Sequence, residues 1–262
     1  MSFLIGFALL IKGADVFVEG ASSIAKKFNV PSMIIGLTIV AMGTSAPEAA
    51  VSVTSSLAGQ NDMSVANVVG SNFFNVLVVL GVSSIIAKLP VQEETIKKDT
   101  PFLILVSILL LVFGINLKLG RIEGLALLGL FTYFLVNTIK SAKKATEDDS
   151  LETGETAIAI ETQTSSEISL PKTILVSLVG IAGIVLGGDM VVNSATSIAT
   201  SLGMSANLVG LTIVAVGTSL PEFVTSIVAI KKGETEIAIG NVIGSNLFNI
   251  LLVLGLAAVI NP

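Results

Sequence analysis

The stretch GLTIVAMGTSAPE, residues 36–48, returns as GLTIVAVGTSLPE at residues 210–222. A second stretch, ANVVGSNFFNVLVVLG at 66–81, returns as GNVIGSNLFNILLVLG at 240–255. Both pairs are separated by the same offset of 174 residues, with no gap inside either copy. The chain therefore contains one structural unit twice.

The composition places this repeated unit in a membrane. Of the 262 residues, 52% are apolar and 13% are charged, whereas soluble domains average about 45–50% apolar and about 25% charged residues. The charges cluster between apolar stretches of about 20 residues, the length at which a helix crosses a hydrocarbon core of ~30 Å. We therefore expect an all-α polytopic membrane protein. Because the chain has no Cys and no His, disulfides, zinc sites and a Ser-His-Asp triad are excluded.

Eight membrane spans are predicted from the apolar stretches: 3–25, 31–57, 63–88, 101–117, 123–140, 173–199, 204–230 and 236–260. The first is not expected to be a cleaved signal peptide, because Met1–Phe3 carries no positive side chain. Residues 141–171 are rich in Ser, Thr and Glu and predict a flexible acidic loop. This loop divides the chain into a first repeat, 1–140, and a second repeat, 172–262.

The basic residues predict the orientation of the chain. With alternating loops, eleven lysines share one side with the acidic loop, against Lys118 and Arg121 on the other. Such a bias marks the cytoplasmic side, so we expect a cytoplasmic acidic loop and an external N-terminus, in the plasma (inner) membrane of a prokaryote. The lysines occur in ones and twos and aromatic residues make up only 5%, which excludes a nucleic-acid-binding face.

The two repeats are expected to have opposite directions. Five spans begin between a position and its copy, and because five is odd, the copy crosses the membrane the other way. Inverted-topology repeats are a design of secondary transporters, whose substrate binds between the halves. We therefore expect residues 3–88 to superpose on 177–262 by a two-fold axis in the membrane plane.

Oxygen-bearing residues share one face of the second span, and their copies share one face of the seventh. The spacing is i, i+3, i+4 and i+7, and the residues are Ala41, Thr44, Ser45 and Glu48, with Ala215, Thr218, Ser219 and Glu222. Pro47 and Pro221 are expected to break these spans, because proline lacks the amide donor that a continuing helix needs. The third and eighth spans add polar residues at i, i+4 and i+8: Asn67, Ser71 and Asn75, with Asn241, Ser245 and Asn249.

This pattern favours a site for hard cations. Carboxylate, amide, hydroxyl and carbonyl oxygens are the ligands of Ca²⁺, and Na⁺ accepts similar oxygens. A purely structural role for both Glu48 and Glu222 is disfavoured, because a carboxylate inside a membrane costs a few kcal/mol or more unless it is compensated. Single hydroxyls and the motif glycines also fit a role in helix packing. Asp15 and Asp189, which keep the 174-residue offset, lack surrounding oxygens and are expected to pack or cap helices.

The paired motifs GTSAPE with GSNFFN and GTSLPE with GSNLFN resemble the α-repeats of the sodium/calcium exchanger branch of the cation/calcium antiporter superfamily, over nearly all of the chain. The resemblance implies a non-enzymatic antiporter that exchanges Na⁺ for Ca²⁺ by alternating access, without a cofactor, with these ions and membrane lipid as its partners. Spans 1 and 6 would slide against the remaining helices. The implied ligands are the carboxylates of Glu48 and Glu222, the hydroxyls of Thr44, Ser45, Ser71, Thr218, Ser219 and Ser245, the carbonyls of Ala41 and Ala215, and the amides of Asn75 and Asn249.

Two departures from the family pattern affect this expectation. Family members often have Asp where this chain has Asn249, so this site would hold two acidic charges instead of three. The family usually has ten spans, five per repeat, whereas eight are predicted here up to Pro262. The other two, counterparts of spans 4 and 5, are peripheral in the family, so the binding motifs are complete even if the chain is a fragment.

Two other functions fit parts of the pattern. In a Ca²⁺/H⁺ or other cation/H⁺ antiporter, Glu48 and Glu222 would alternate between proton and metal, although proton-coupled relatives more often carry a different repeat signature. An intramembrane hydrolase would use Ser45 or Ser219 as nucleophile, but the chain offers no His as a base.

Overall fold

The computed structural model describes residues 1–153, 170–205, 212–213 and 215–262. Within these ranges the chain forms helices and connecting turns and no β-strand. In chain order the helices are α1 (Ser2–Lys27), α2 (Ser32–Thr44), α3 (Ala46–Leu57), α4 (Asn61–Ile86), α5 (Thr95–Asn116), α6 (Arg121–Thr153), α7 (Leu170–Ser201), α8 (Ala215–Thr218), α9 (Leu220–Lys231) and α10 (Thr235–Ile260).

Most of these helices are long and apolar enough to cross a bilayer. Helices α4, α5, α7 and α10 meet this condition, as does α6 over Arg121–Lys144, and α2 and α3 together form a further span with a bend of 48°. Helix α1 has 26 residues and a length of about 39 Å, although Lys12, Asp15 and Glu19 make it more polar. The seventh predicted span contains α8 and α9, and its residues 206–211 and 214 lie outside the described residues.

The helix boundaries repeat with the offset of the sequence motifs. Helices α3 and α9 begin 174 residues apart, and so do α4 and α10. Helices α4 and α10 also widen into six-residue π-helical segments at equivalent places, Asn75–Leu80 and Asn249–Leu254. The predicted all-helical transporter fold with two repeats is confirmed.

The predicted loop at 141–171 begins too early. Helix α6 continues without a break to Thr153, so residues 141–153 are helical and not a loop, whereas the end of the first repeat at residue 140 stays a prediction. The prediction rested on polarity, but Ala, Lys and Glu in AKKATE are good helix formers, and a polar helix can continue beyond the membrane. Residues 154–169 of the predicted loop lie outside the described residues.

Helices α1 and α7 are in close contact because glycines line their interface. A Cβ atom added to Gly13 would lie 2.6 Å from the backbone nitrogen of Ile184, and one added to Gly180 would lie 2.7 Å from that of Phe17. Both distances are far below van der Waals contact, so the two backbones meet without a side chain between them. Small residues serve this purpose in membrane helix pairs. These are the helices that correspond to predicted spans 1 and 6.

Ion pairs connect α1 to the turn between α9 and α10. Lys232 Nζ lies 2.9 Å from Asp15 Oδ1 and 3.5 Å from Glu19 Oε2, and Lys26 Nζ lies 3.4 Å from Glu234 Oε1. The hydrogen bond to Asp15 raises the pKa of the Lys232 ammonium above its usual value. The packing or capping role expected for Asp15 stays a prediction, and its carboxylate pairs with a lysine from the other repeat.

Gly13→Val is expected to destabilise the protein, because the added side chain would push α1 away from the backbone of α7. Overpacking of this kind costs about 1–3 kcal/mol. The measurement is the Tm of the purified chain in detergent. Gly129→Val is the matched control, because a Cβ atom there has no described atom within 4 Å. Equal Tm values for the two variants would contradict the close contact between α1 and α7.

Candidate cation site

The two glutamates lie at the beginnings of helices that follow breaks. Helix α2 ends at Thr44, and α3 begins at Ala46 with Pro47 in its first turn, a position where a missing amide hydrogen is tolerated. Glu48 is in the same first turn, and Glu222 is in the first turn of α9. Free amide groups and the helix dipole stabilise negative charge at this end of a helix. The break predicted from proline is confirmed, and it places each carboxylate at a helix N-terminus.

Glu48 is fully buried and accepts hydrogen bonds from both repeats. Its Oε1 atom accepts from Ser71 Oγ at 3.1 Å and from Ser219 Oγ at 3.2 Å. The two serine hydroxyls are also 2.7 Å from each other. Ser71 belongs to the first repeat, whereas Ser219 is the residue that precedes α9 in the second. The carboxylate of one repeat is therefore held partly by the break in the other.

Glu222 is equally buried and has the equivalent partners. Its Oε1 atom accepts from Ser45 Oγ, in the break between α2 and α3, at 2.9 Å, and from Ser245 Oγ at 3.4 Å. Ser245 is also 3.4 Å from Thr44 Oγ1. The hydrogen bonds around one glutamate thus reproduce those around the other when the residue numbers are shifted by 174. The two repeats exchange partners at the centre of the protein.

Buried asparagines connect each broken helix to the next span. Asn67 Nδ2 donates to the Glu48 carbonyl at 3.3 Å and to Ser52 Oγ at 2.9 Å, and its Oδ1 accepts from Thr218 Oγ1 at 3.3 Å. The second repeat forms the copy of this arrangement, in which Asn241 Nδ2 donates to the Glu222 carbonyl at 3.2 Å and to Ser226 Oγ at 3.0 Å, while Asn241 Oδ1 accepts from Thr44 Oγ1 at 3.0 Å.

A cluster of four amides lies beside the glutamates. Asn249 Nδ2 donates to Ser71 Oγ at 3.2 Å and to Asn72 Oδ1 at 3.1 Å, and Asn75 Nδ2 donates to Asn246 Oδ1 at 3.1 Å. Asn75 and Asn249 are predicted site residues, whereas Asn72 and Asn246 were missed. Like Ser52 and Ser226, they keep the 174-residue offset, which was the signal that could have found them.

Four buried oxygens of predicted site residues accept no hydrogen bond in the part of the chain that the structure describes. They are Glu48 Oε2, Glu222 Oε2, Asn75 Oδ1 and Asn249 Oδ1. An unsatisfied buried polar group costs about 1–3 kcal/mol, and more when it is charged. A bound cation would satisfy these two carboxylate and two amide oxygens, because oxygens of both kinds are hard ligands.

The remaining predicted ligands are less available. The carbonyl of Ala41 already accepts from the Ser45 amide at 3.0 Å, and Ala215 begins α8. Among the described residues, no group of three or more acidic or histidine side chains could hold a metal ion. The site therefore combines two carboxylates with neutral oxygens.

An inverted-repeat helical fold with paired carboxylates at broken helices is the architecture of a secondary cation transporter. The chain belongs to the sodium/calcium exchanger protein family, whose pattern matches residues 1–140 and 172–262. It is thus a membrane antiporter of the cation/calcium type and not an enzyme.

Individual relatives match nearly the whole chain. The putative antiporter CaxA of Alkalimonas amylolytica is 45% identical over 99% of this chain and 80% of its own length. The sodium/calcium exchanger MaX1 of Methanosarcina acetivorans is 33% identical over 99% of this chain and 82% of its own. A solved structure of the sodium-calcium exchanger NCX_Mj, soaked with 10 mM Na⁺ and no Ca²⁺, has a TM-score of 0.84 at 33% identity and covers 99% of this chain and 82% of that one.

Asn67→Leu is expected to lower the Tm in detergent, because it leaves the Glu48 carbonyl and two hydroxyls without their amide partner. Each unsatisfied buried group costs about 1–3 kcal/mol. Asn193→Leu is the control, since Asn193 is exposed on α7. A Tm for Asn67→Leu equal to that of the control would show that this amide does not join the two repeats.

Proposed function

We propose that this protein exchanges Na⁺ for Ca²⁺ across the membrane by alternating access, with both ions bound in turn at the site between the repeats. The observation that carries this proposal is a set of four buried oxygens that accept no hydrogen bond from the described residues, those of Glu48, Glu222, Asn75 and Asn249. Two ionised carboxylates provide a charge of −2, which matches one Ca²⁺. The proposed ligand set also includes the hydroxyls and carbonyls that the family resemblance implies.

Competition for the carboxylates explains the exchange. Ca²⁺ takes about six to eight oxygens at about 2.3–2.6 Å, so it would engage both glutamates at once. Na⁺ accepts similar oxygens, and ions that need the same carboxylates cannot bind together. If the transporter changes orientation only when a bound cation neutralises the two glutamates, it carries one kind of ion across the membrane in one direction. It must then return with the other kind of ion. The names of MaX1 and NCX_Mj, both sodium/calcium exchangers, support this choice of ions.

The contact between α1 and α7 supports a sliding mechanism. Small residues let the two backbones meet directly, which joins α1 and α7 into one unit. The hydrogen bonds between the repeats, by contrast, would keep the helices that bear the site together as one body. We propose that α1 and α7 move as a pair relative to this body and open the site alternately to the two sides, with the N-terminus outside.

A proton-coupled antiporter is the alternative, because buried glutamates can bind H⁺ in place of a metal. The two drivers are separated in proteoliposomes that contain the purified chain. Under the proposal, ⁴⁵Ca²⁺ uptake follows an outward Na⁺ gradient at equal pH. Uptake that follows an imposed pH gradient and ignores Na⁺ would support the proton-coupled antiporter instead.

Glu48→Gln and Glu222→Gln are each expected to reduce Na⁺-driven ⁴⁵Ca²⁺ uptake by about a hundredfold or more, because a weakly screened charge is removed from the ion. Folding should be preserved, since the change removes a buried charge and keeps the volume; elution as a single species in size-exclusion chromatography checks this.

Asp189→Asn is the matched control. It also neutralises one carboxylate in a helix, but Asp189 is exposed on α7, so uptake should stay near that of the unchanged protein. Near-normal ⁴⁵Ca²⁺ uptake by both glutamine variants would mean that the site lies elsewhere.

A further inference from the structure

Asn72 and Asn246 face each other across the two repeats. Asn72 Nδ2 donates to the backbone carbonyl of Asn246 at 3.2 Å, and Asn246 Nδ2 donates to the backbone carbonyl of Asn72 at 3.5 Å. A backbone carbonyl can only accept hydrogen bonds. Each side chain must therefore turn its amino group towards the opposite main chain and its Oδ1 atom the other way.

This orientation determines that of the next pair of amides. Asn72 Oδ1 faces Asn249 Nδ2 at 3.1 Å, and Asn246 Oδ1 faces Asn75 Nδ2 at 3.1 Å. Because an amide oxygen also only accepts, Asn249 and Asn75 must present their amino groups there. Their own Oδ1 atoms then point to the opposite side, where both are buried and accept no hydrogen bond from the described residues.

We propose that Asn72 and Asn246 are positioning residues that orient the amides of Asn249 and Asn75, so that an oxygen and not an amino group faces the transported cation. The two orientations of an amide have nearly the same shape, so hydrogen bonds alone choose between them. The wrong orientation would direct two partially positive hydrogens at the ion. This inference rests on the proposed function, since it concerns the same site.

The same network selects neutral side chains at the centre of the site. An ionised aspartate at position 249 has no hydrogen to donate, so one of its oxygens would face Asn72 Oδ1 without a proton between them. Asn249 instead uses its amino group for Asn72 and for Ser71 Oγ, at 3.2 Å. The charge of the site is thereby limited to its two glutamates.

The test uses Asn72→Leu and Asn246→Leu, which retain side-chain size but can neither donate nor accept. Each variant should need about tenfold more Ca²⁺ for half-maximal Na⁺-driven exchange. The second readout is the Ca²⁺ concentration that gives half-maximal thermal stabilisation of the purified chain in detergent, because an ion that binds the folded state raises its Tm. If a leucine variant does not fold, Asn72→Ala and Asn246→Ala replace it.

A double-mutant cycle separates orientation from simple packing. Asn249→Ala removes the amide that Asn72 orients, so adding Asn72→Leu to it should weaken Ca²⁺ binding little further. Asn246→Leu should behave in the same way towards Asn75→Ala. The mismatched pairs, Asn72→Leu with Asn75→Ala and Asn246→Leu with Asn249→Ala, are the controls, and their effects should come closer to multiplying.

Multiplicative effects in the matched pairs, or unchanged Ca²⁺ affinity in both single variants, would overturn the positioning role. Failure of the proposed function has a different signature. If Ca²⁺ stabilises the wild-type chain but Na⁺ drives no uptake, the proposed exchange is refuted. The double-mutant cycle can then still be measured through the Ca²⁺-dependent rise in Tm. A wild-type chain that neither transports nor is stabilised by Ca²⁺ or Na⁺ overturns both proposals.

Discussion

The burial of two carboxylates inside an apolar protein is the constraint on which the rest of this structure depends. Glu48 and Glu222 have no exposed surface, and none of the ion pairs formed by the described residues involves either of them. Neutral hydroxyls and helix N-termini compensate the two carboxylates only in part, because one oxygen of each accepts no hydrogen bond from the described residues. A transported cation can supply the missing positive charge and leave again, whereas a fixed lysine or arginine would compete with it.

This compensation comes from the opposite repeat as much as from the glutamate's own. Ser219 donates to Glu48, and Ser45 donates to Glu222, so the break in each helix serves the carboxylate of the other half. The amides extend the exchange, because Asn72 and Asn246 bind each other's backbone. The site is consequently also the joint between the repeats. A change in one repeat alters the surroundings of both carboxylates, and an ion that binds there contacts the two halves together.

The two kinds of interface in the protein have different physical characters. Around the glutamates, directional hydrogen bonds specify one arrangement of the helices. Between α1 and α7, glycines bring the backbones together without a side chain between them, whereas ion pairs such as that of Lys232 with Asp15, in the middle of α1, connect α1 to the turn between α9 and α10. Polar packing around the site and close backbone packing between α1 and α7 suit a transporter in which this helix pair moves as one unit without dispersing the ligands.

The sequence alone determined the helical membrane fold, the repeat and most of the central residues, because hydropathy, helical spacing and a constant offset are all properties of the linear chain. It also predicted the break at Pro47, since a missing amide hydrogen acts locally. It failed where polarity was taken for a loop in 141–153, and it did not identify Lys232 as the partner of Asp15. Only the tertiary structure decided that Ser45 donates to Glu222, that Asn249 donates to Asn72 and which oxygens accept no hydrogen bond from the described residues. Those relations join residues more than 170 positions apart, and hydrogen-bond direction depends on the relative placement of two helices, which no spacing along one of them contains.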